Sequence, residues 1–133
     1  EWCTRVHEKS GLCKKVMLSD VSLEEAEELT LNFVTEFFKK DEAVLAGNSV
    51  WNDRAFIRRH MPRLDAYLNY RIVDVSSVKE LVRRWYPESP FTDFKKHETH
   101  RALVDIKESI AELKHYRTHF FIPKEFTQSH ETE

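Results

Sequence analysis

The chain of 133 residues is short of the features that usually betray a function at sight. It has only two cysteines, Cys3 and Cys13, which lie close together and form no CxxC. Free thiols in a reducing compartment are therefore the expectation, with no disulfide framework. No apolar run approaches the roughly 18 residues a membrane span needs, and no signal peptide is visible. An excess of either charge is nearly absent: the net charge of −2 argues against a general nucleic-acid coat protein but leaves room for a small nucleic-acid pocket. Internal repeats and low-complexity linkers are missing. So is an initiator methionine, because the sequence opens at Glu1 inside a helix-like stretch and reads as a processed or truncated piece.

What is present fits one soluble α/β domain. Charged residues at 33 % and hydrophobic residues at 41 % are ordinary for a globular protein, and a chain this long can bury a single core without staples. Residues 1–18 carry a loose helical pattern broken at Ser10-Gly11. Ser22 and Glu25 form a capping box ahead of Leu23, Ala26, Leu29, Phe33 and Phe37, so 23–39 is expected as a helix with that stripe facing the core. Residues 43–50 read as a short buried strand, 52–68 as a helix bent or split at Pro62, and 70–76 as a second strand. A further box, Ser77 to Glu80, opens a helix over 77–86. A loop covers 87–98, and a long helix follows from about 100 to 120 with Leu103, Ile106, Ile110 and Leu113 on one face. The domain is placed at 1–122 and a disordered tail at 123–133. Two strands are few for a sheet of the usual five or six, which points to a fold only partly contained in this chain.

Several residues have the chemistry of a site, each with a plain structural alternative. His100 and Asp105 are five residues apart, about 140° around a continuous helix, and could share a cleft only if His100 lies off the helix in the preceding loop, with Thr99 as cap. Asp53 falls in the first turn of a helix that follows a strand end, where open α/β sheets gather ligands; a dipole-favoured first-turn carboxylate looks the same. Ser76 and Ser77 stand where the second strand meets a helix N-terminus, a natural phosphate seat or simple caps. Asp74, a carboxylate in an apolar strand, needs a partner and is left structural. His97 and His100 make an HxxH, and His115 and His119 an i,i+4 pair with weak zinc character. Arg58-Arg59-His60 and Arg83-Arg84-Trp85 read mainly as solvated helix faces.

The order of the segments is more informative than any one of them. WCTRVHEKSGL, LAGNSVWNDRAFIRRHMP, YRIVDVSSVKELVRRWYP and THRALVDIKESIAELKHYR, in that sequence, closely resemble the oligoribonucleases, DEDDh-type 3′-to-5′ exoribonucleases with a ribonuclease H-like fold. The resemblance runs from Trp2 to about Phe121. It implies hydrolysis of very short oligoribonucleotides, especially dinucleotides, to 5′-mononucleotides by two divalent ions, Mg²⁺ or Mn²⁺. It makes His100 the general base and Asp53 and Asp105 metal ligands. Trp2 and His7 become contacts to the bases and scissile region, and Ser49, Arg71 and Ser76 the grip on a 5′-phosphate. It also implies a homodimer in which Tyr70 reaches the partner's site, no membrane association, and a cytoplasmic location, with a mitochondrial form open in a eukaryote. The family's Asp-x-Glu pair lies on a strand preceding the region that matches Glu1, so this chain alone is expected to be nearly inactive. The competing readings are a truncated, non-catalytic paralogue that binds short 5′-phosphorylated RNA, and an α-helical interaction protein.

Overall fold

The computed structural model describes residues 11–96 and 102–121. Helix α1 (Leu12–Met17) follows Gly11, whose φ of 71° turns the chain. Helix α2 (Leu23–Phe37) starts as the capping box requires, with Ser22 Oγ accepting from the Glu25 amide at 3.1 Å. Strand β1 (Leu45–Gly47) leads into α3 (Trp51–His60) and α4 (Pro62–Tyr67), and the chain returns as β2 (Ile72–Asp74). Helix α5 (Val75–Trp85) follows without a linker, and α6 (Ala102–Phe120) is the longest element. The strands pair in parallel with Leu45 opposite Ile72 and Gly47 opposite Asp74, so α3 and α4 form the crossover that a parallel pair needs. This is the small α/β core of the expected ribonuclease H-like class: mostly helical, with two strands among the described residues. The expected tail, 123–133, lies outside the described residues.

Pro62 splits the expected 52–68 helix in two. Met61, in front of it, is forced to φ −135° and ψ 62°, and Pro62 opens α4 at a position that needs no amide hydrogen. The amides just beyond still need acceptors. Glu27 Oε1 of α2 supplies one, accepting from Arg63 N at 2.6 Å and Leu64 N at 3.1 Å. That role explains why a glutamate is buried in α2. Around it Ala43, Leu64 and Leu68 make one apolar cluster, packed by Leu31, Val34, Ile57 and Met61. A second cluster of Val75, Val82 and Tyr116, with Val78, Phe94, Leu113 and Phe120, joins α5 to α6.

Three expectations need correction. The strands are shorter than 43–50 and 70–76 and only partly covered; Val44, Ile72 and Val73 are exposed because two strands leave much of their surface without a layer over it. Ser77 is not the cap of α5. The helix starts two residues earlier, and Asp74 caps it by accepting from the Ser76 amide at 2.9 Å. Most of the stripes expected to face the core do not: Leu23, Leu29, Phe33 and Phe37 of α2 are exposed, as are Leu103, Ile106 and Ile110 of α6, while Leu113 does pack against the second cluster. Each helix instead buries a face rotated by roughly a quarter-turn, at 100° per residue, through Glu27, Leu31 and Val34 in α2 and Glu112 and Tyr116 in α6.

Glu112 is fully buried, yet its surroundings favour the charged carboxylate. Burial alone would raise its carboxyl, but Lys96, Asn48 and the Tyr116 hydroxyl hold it below the ordinary value of 4.5. Burial and the adjacent Glu112 carboxylate in turn push the Tyr116 hydroxyl well above its ordinary value, keeping it a donor.

Two outcomes follow for stability. Glu27→Ala leaves the Arg63 and Leu64 amides without their acceptor and lowers unfolding stability by about 1–3 kcal/mol in urea titrations, whereas Phe33→Ser on the exposed stripe moves it by less than about 0.5 kcal/mol. Because the folded Glu112 carboxyl lies below 4.5, its contribution is complete above that pH and is lost as pH falls through the folded value. Chemical unfolding from pH 7 into the acid range should show that decline, and Glu112→Gln should remove its share of the slope.

Candidate active site

Both strands end at the same level, since Gly47 pairs with Asp74. The chain leaves β1 in a tight turn and leaves β2 directly into α5, so two loops meet at the carboxyl ends of parallel strands. One carboxylate oxygen joins them: Asp74 Oδ1 accepts from the amides of Ser49 and Ser76, each at 2.9 Å. Ser49 also donates its amide to Ser76 Oγ at 2.9 Å, and the two hydroxyls stand 3.2 Å apart. Ser49 adopts φ 51°, a left-handed conformation costly for serine, which these bonds stabilise. The turn is anchored from behind as well, where Asn48 Nδ2 donates to Glu112 Oε2 at 2.8 Å.

A cleft of about 480 Å³ opens beside the serines, lined among others by Trp51, Asp74, Glu80 and Arg84. Arg84 was expected on a solvated helix face. It does stay exposed, but it borders this cleft and pairs with Glu80, one helical turn away, holding that carboxyl below its ordinary range by hydrogen bond and charge. The spacing of Ser77, Glu80, Leu81 and Arg84 along one face of α5 is the sequence signal that could have found this lining.

Asp53 lies in the first turn of α3 and Asp105 in the first turn of α6, and both are exposed. Asp53 is placed by its neighbour. Arg54 is buried and donates from Nη1 to Asn69 O at 2.6 Å and from Nη2 to Asp65 O at 3.2 Å, with Nε 2.7 Å from Asp65 Oδ1. Arg54 thereby ties α3 to the residue just before Tyr70 and Arg71. The Tyr70 ring is exposed, and the Arg71 guanidinium stacks over it at 4.5 Å. Trp2, His7, His97 and His100 lie outside the described residues. His115 and His119 serve packing: His119 stacks on Phe91 at 3.9 Å and His115 Nε2 meets Phe91 O at 2.7 Å. Among the described residues no three acidic, histidine or cysteine side chains gather closely enough to hold a metal ion.

Of the residues expected from sequence, Ser49 and Ser76 are brought into contact, and Tyr70 and Arg71 stand together beside β2. Glu112, Asn48 and Lys96 were missed, because nothing in their spacing marks them as partners. Lys96 Nζ lies 2.5 Å from Glu112 Oε2.

Comparison with known proteins gives the family. The exonuclease family model matches residues 1–113. An oligoribonuclease of Pseudomonas aeruginosa is 52% identical over 120 residues, covering 90% of this chain and 66% of the relative. One from Marinobacter nauticus is 49% identical over 121 residues, covering 91% and 67%, and a probable oligoribonuclease of Drosophila melanogaster is 50% identical over 121 residues, covering 91% and 57%. The chain thus spans about two thirds of the length of the bacterial relatives. With a strand-end cleft in place and identity near one half over nearly all its residues, the chain belongs to the exonuclease family and, within it, stands with the oligoribonucleases.

Proposed function

We propose that this chain carries the catalytic region of a 3′-to-5′ exoribonuclease that hydrolyses very short oligoribonucleotides, dinucleotides above all, to 5′-mononucleotides. The observation that carries the reading is the Ser49–Ser76 pair at the strand ends, in a chain half identical to proteins named oligoribonuclease. Two hydroxyls 3.2 Å apart can each turn a proton toward one phosphate. Asp74 already takes the Ser76 amide at the start of α5, so at this end of β2 the hydroxyls, rather than the helix dipole, supply the grip, and Arg71 joins it on the strength of the resemblance alone. Tyr70, exposed beside Arg71, is free to reach the site of a second copy, and a homodimer with composite sites accords with it.

Asp53 and Asp105 offer oxygen donors from exposed first-turn positions, the donor chemistry that Mg²⁺ or Mn²⁺ prefers. They supply part of a ligand set. Bound divalent ions would lower the pKa of the attacking water and offset charge on the phosphoryl oxygens. His100 would accept a proton from the attacking water, and Trp2 and His7 would position the bases and the scissile region. We place the activity in the cytoplasm; the free Cys13 thiol accords with a reducing compartment. No helix among the described residues is long and apolar enough to cross a membrane.

The test is hydrolysis of a 5′-labelled RNA dinucleotide with Mn²⁺ by the full-length gene product. His100→Ala, Asp53→Asn and Asp105→Asn should each lower kcat by at least about 100-fold. Ser49→Ala and Ser76→Ala should act mainly on KM. Tight dinucleotide binding with no cleavage by the unaltered protein would transfer the assignment to a non-catalytic RNA-binding module.

A further inference from the structure

Behind the serine pair lies a carboxylate that the proposed chemistry does not use. Glu112 has no exposed surface, and four polar groups surround it. Asn48 Nδ2 donates to Oε2 at 2.8 Å and the Tyr116 hydroxyl to Oε1 at 3.0 Å; Lys96 Nζ lies 2.5 Å from Oε2 and Lys79 Nζ 3.8 Å from Oε1. A buried ion persists only when compensated in this way. The partners are not equivalent. Both lysines keep 28% of their side-chain surface exposed, so water can stabilise them without Glu112. Asn48 has no such recourse. Among the described residues its buried Oδ1 finds no hydrogen-bond donor, and its Nδ2 has only Glu112 at full strength, with Ser76 Oγ at a long 3.5 Å. A reversed amide would turn Oδ1 toward the carboxylate and be repelled. The negative charge of Glu112 therefore selects the Asn48 orientation, and Asn48 immediately precedes the strained Ser49.

We infer that Glu112 is a positioning residue for the 5′-phosphate pocket: through Asn48 it holds the turn on which Ser49 meets Ser76, and so sets the preference for a phosphorylated over an unphosphorylated oligonucleotide end. The inference rests on the reading of Ser49 and Ser76 as the phosphate grip. It assigns Glu112 no contact with substrate. A neutral residue of the same shape at position 112 could fill the space and keep α6 packed, but it would leave the Asn48 amide without an anion to orient it.

The experiment is calorimetric titration of the full chain, without metal, with the dinucleotides pApA and ApA. The quantity read is the ratio of the two affinities, which a loss of stability alone does not move in folded protein. The unaltered chain should prefer pApA. Glu112→Gln should reduce that preference about tenfold, as expected for one charge-assisted hydrogen bond. Asn48→Ala should reduce it to a similar extent, and the double variant should lose little more, because the two act through one contact. Glu112→Asp keeps the buried charge but withdraws it by one methylene, and should also lose preference if Glu112→Gln proves unfolded by circular dichroism. A preference for pApA that survives in the folded position-112 variants overturns the inference and leaves Glu112 a stabilising group only. Additive losses in the double variant overturn the route through Asn48. Absence of any preference in the unaltered chain instead removes the phosphate-grip reading itself, and the inference with it.

Discussion

A single oxygen of Asp74 holds the strand ends together. It accepts amides from Ser49, at the end of the β1 turn, and from Ser76, in the first turn of α5, and so fixes two segments 27 residues apart in sequence. The parallel register makes this possible, because Gly47 and Asp74 finish side by side. Without it Ser49 would have little reason to stay in a left-handed conformation that costs a serine on the order of 1 kcal/mol or more. The cleft, the serine pair and the placement of Asn48 over Glu112 all depend on that junction. Arg54 does the corresponding work at the other end of the crossover, binding Asn69 O and Asp65 so that Tyr70 and Arg71 emerge next to β2.

The buried charges share one logic. Glu27 answers amides at the start of α4, Arg54 answers two carbonyls and a carboxylate, and Glu112 answers an amide, a phenol and two lysines. Each would be a liability alone, at a cost of several kcal/mol. Each joins backbone or side chains from separate elements, so the polar contacts specify how the helices sit while the two small apolar clusters supply cohesion.

Much of this was legible in the residues. Ser22 announced the start of α2, Pro62 the break between α3 and α4, and the turn after β1 put Asp53 in a helical first turn. The faces were not legible. In α2 and α6 apolar residues occupy more than one side, and periodicity selects the densest stripe, whereas the buried face in each case contains a glutamate that any pattern would send to solvent. The cap of α5 was misread because a serine followed by glutamate three residues on imitates a capping box, while the real start depends on where β2 stops pairing. The meeting of Ser49 with Ser76 carried no local signal at all. Only the resemblance to the oligoribonucleases put them in one pocket.

The exposed stripes on α2 and α6 also bear on how the folded state responds to temperature. Leucines, isoleucines and phenylalanines already half exposed to water add less to the heat capacity of unfolding than buried ones, because less of their surface becomes newly hydrated. The increment should fall below the usual 12–15 cal/mol/K per residue, and the stability curve should be correspondingly flat. A flat curve makes the fold comparatively indifferent to cooling. Its resistance to heat then rests on enthalpy from the buried ion pairs and amide contacts more than on apolar burial.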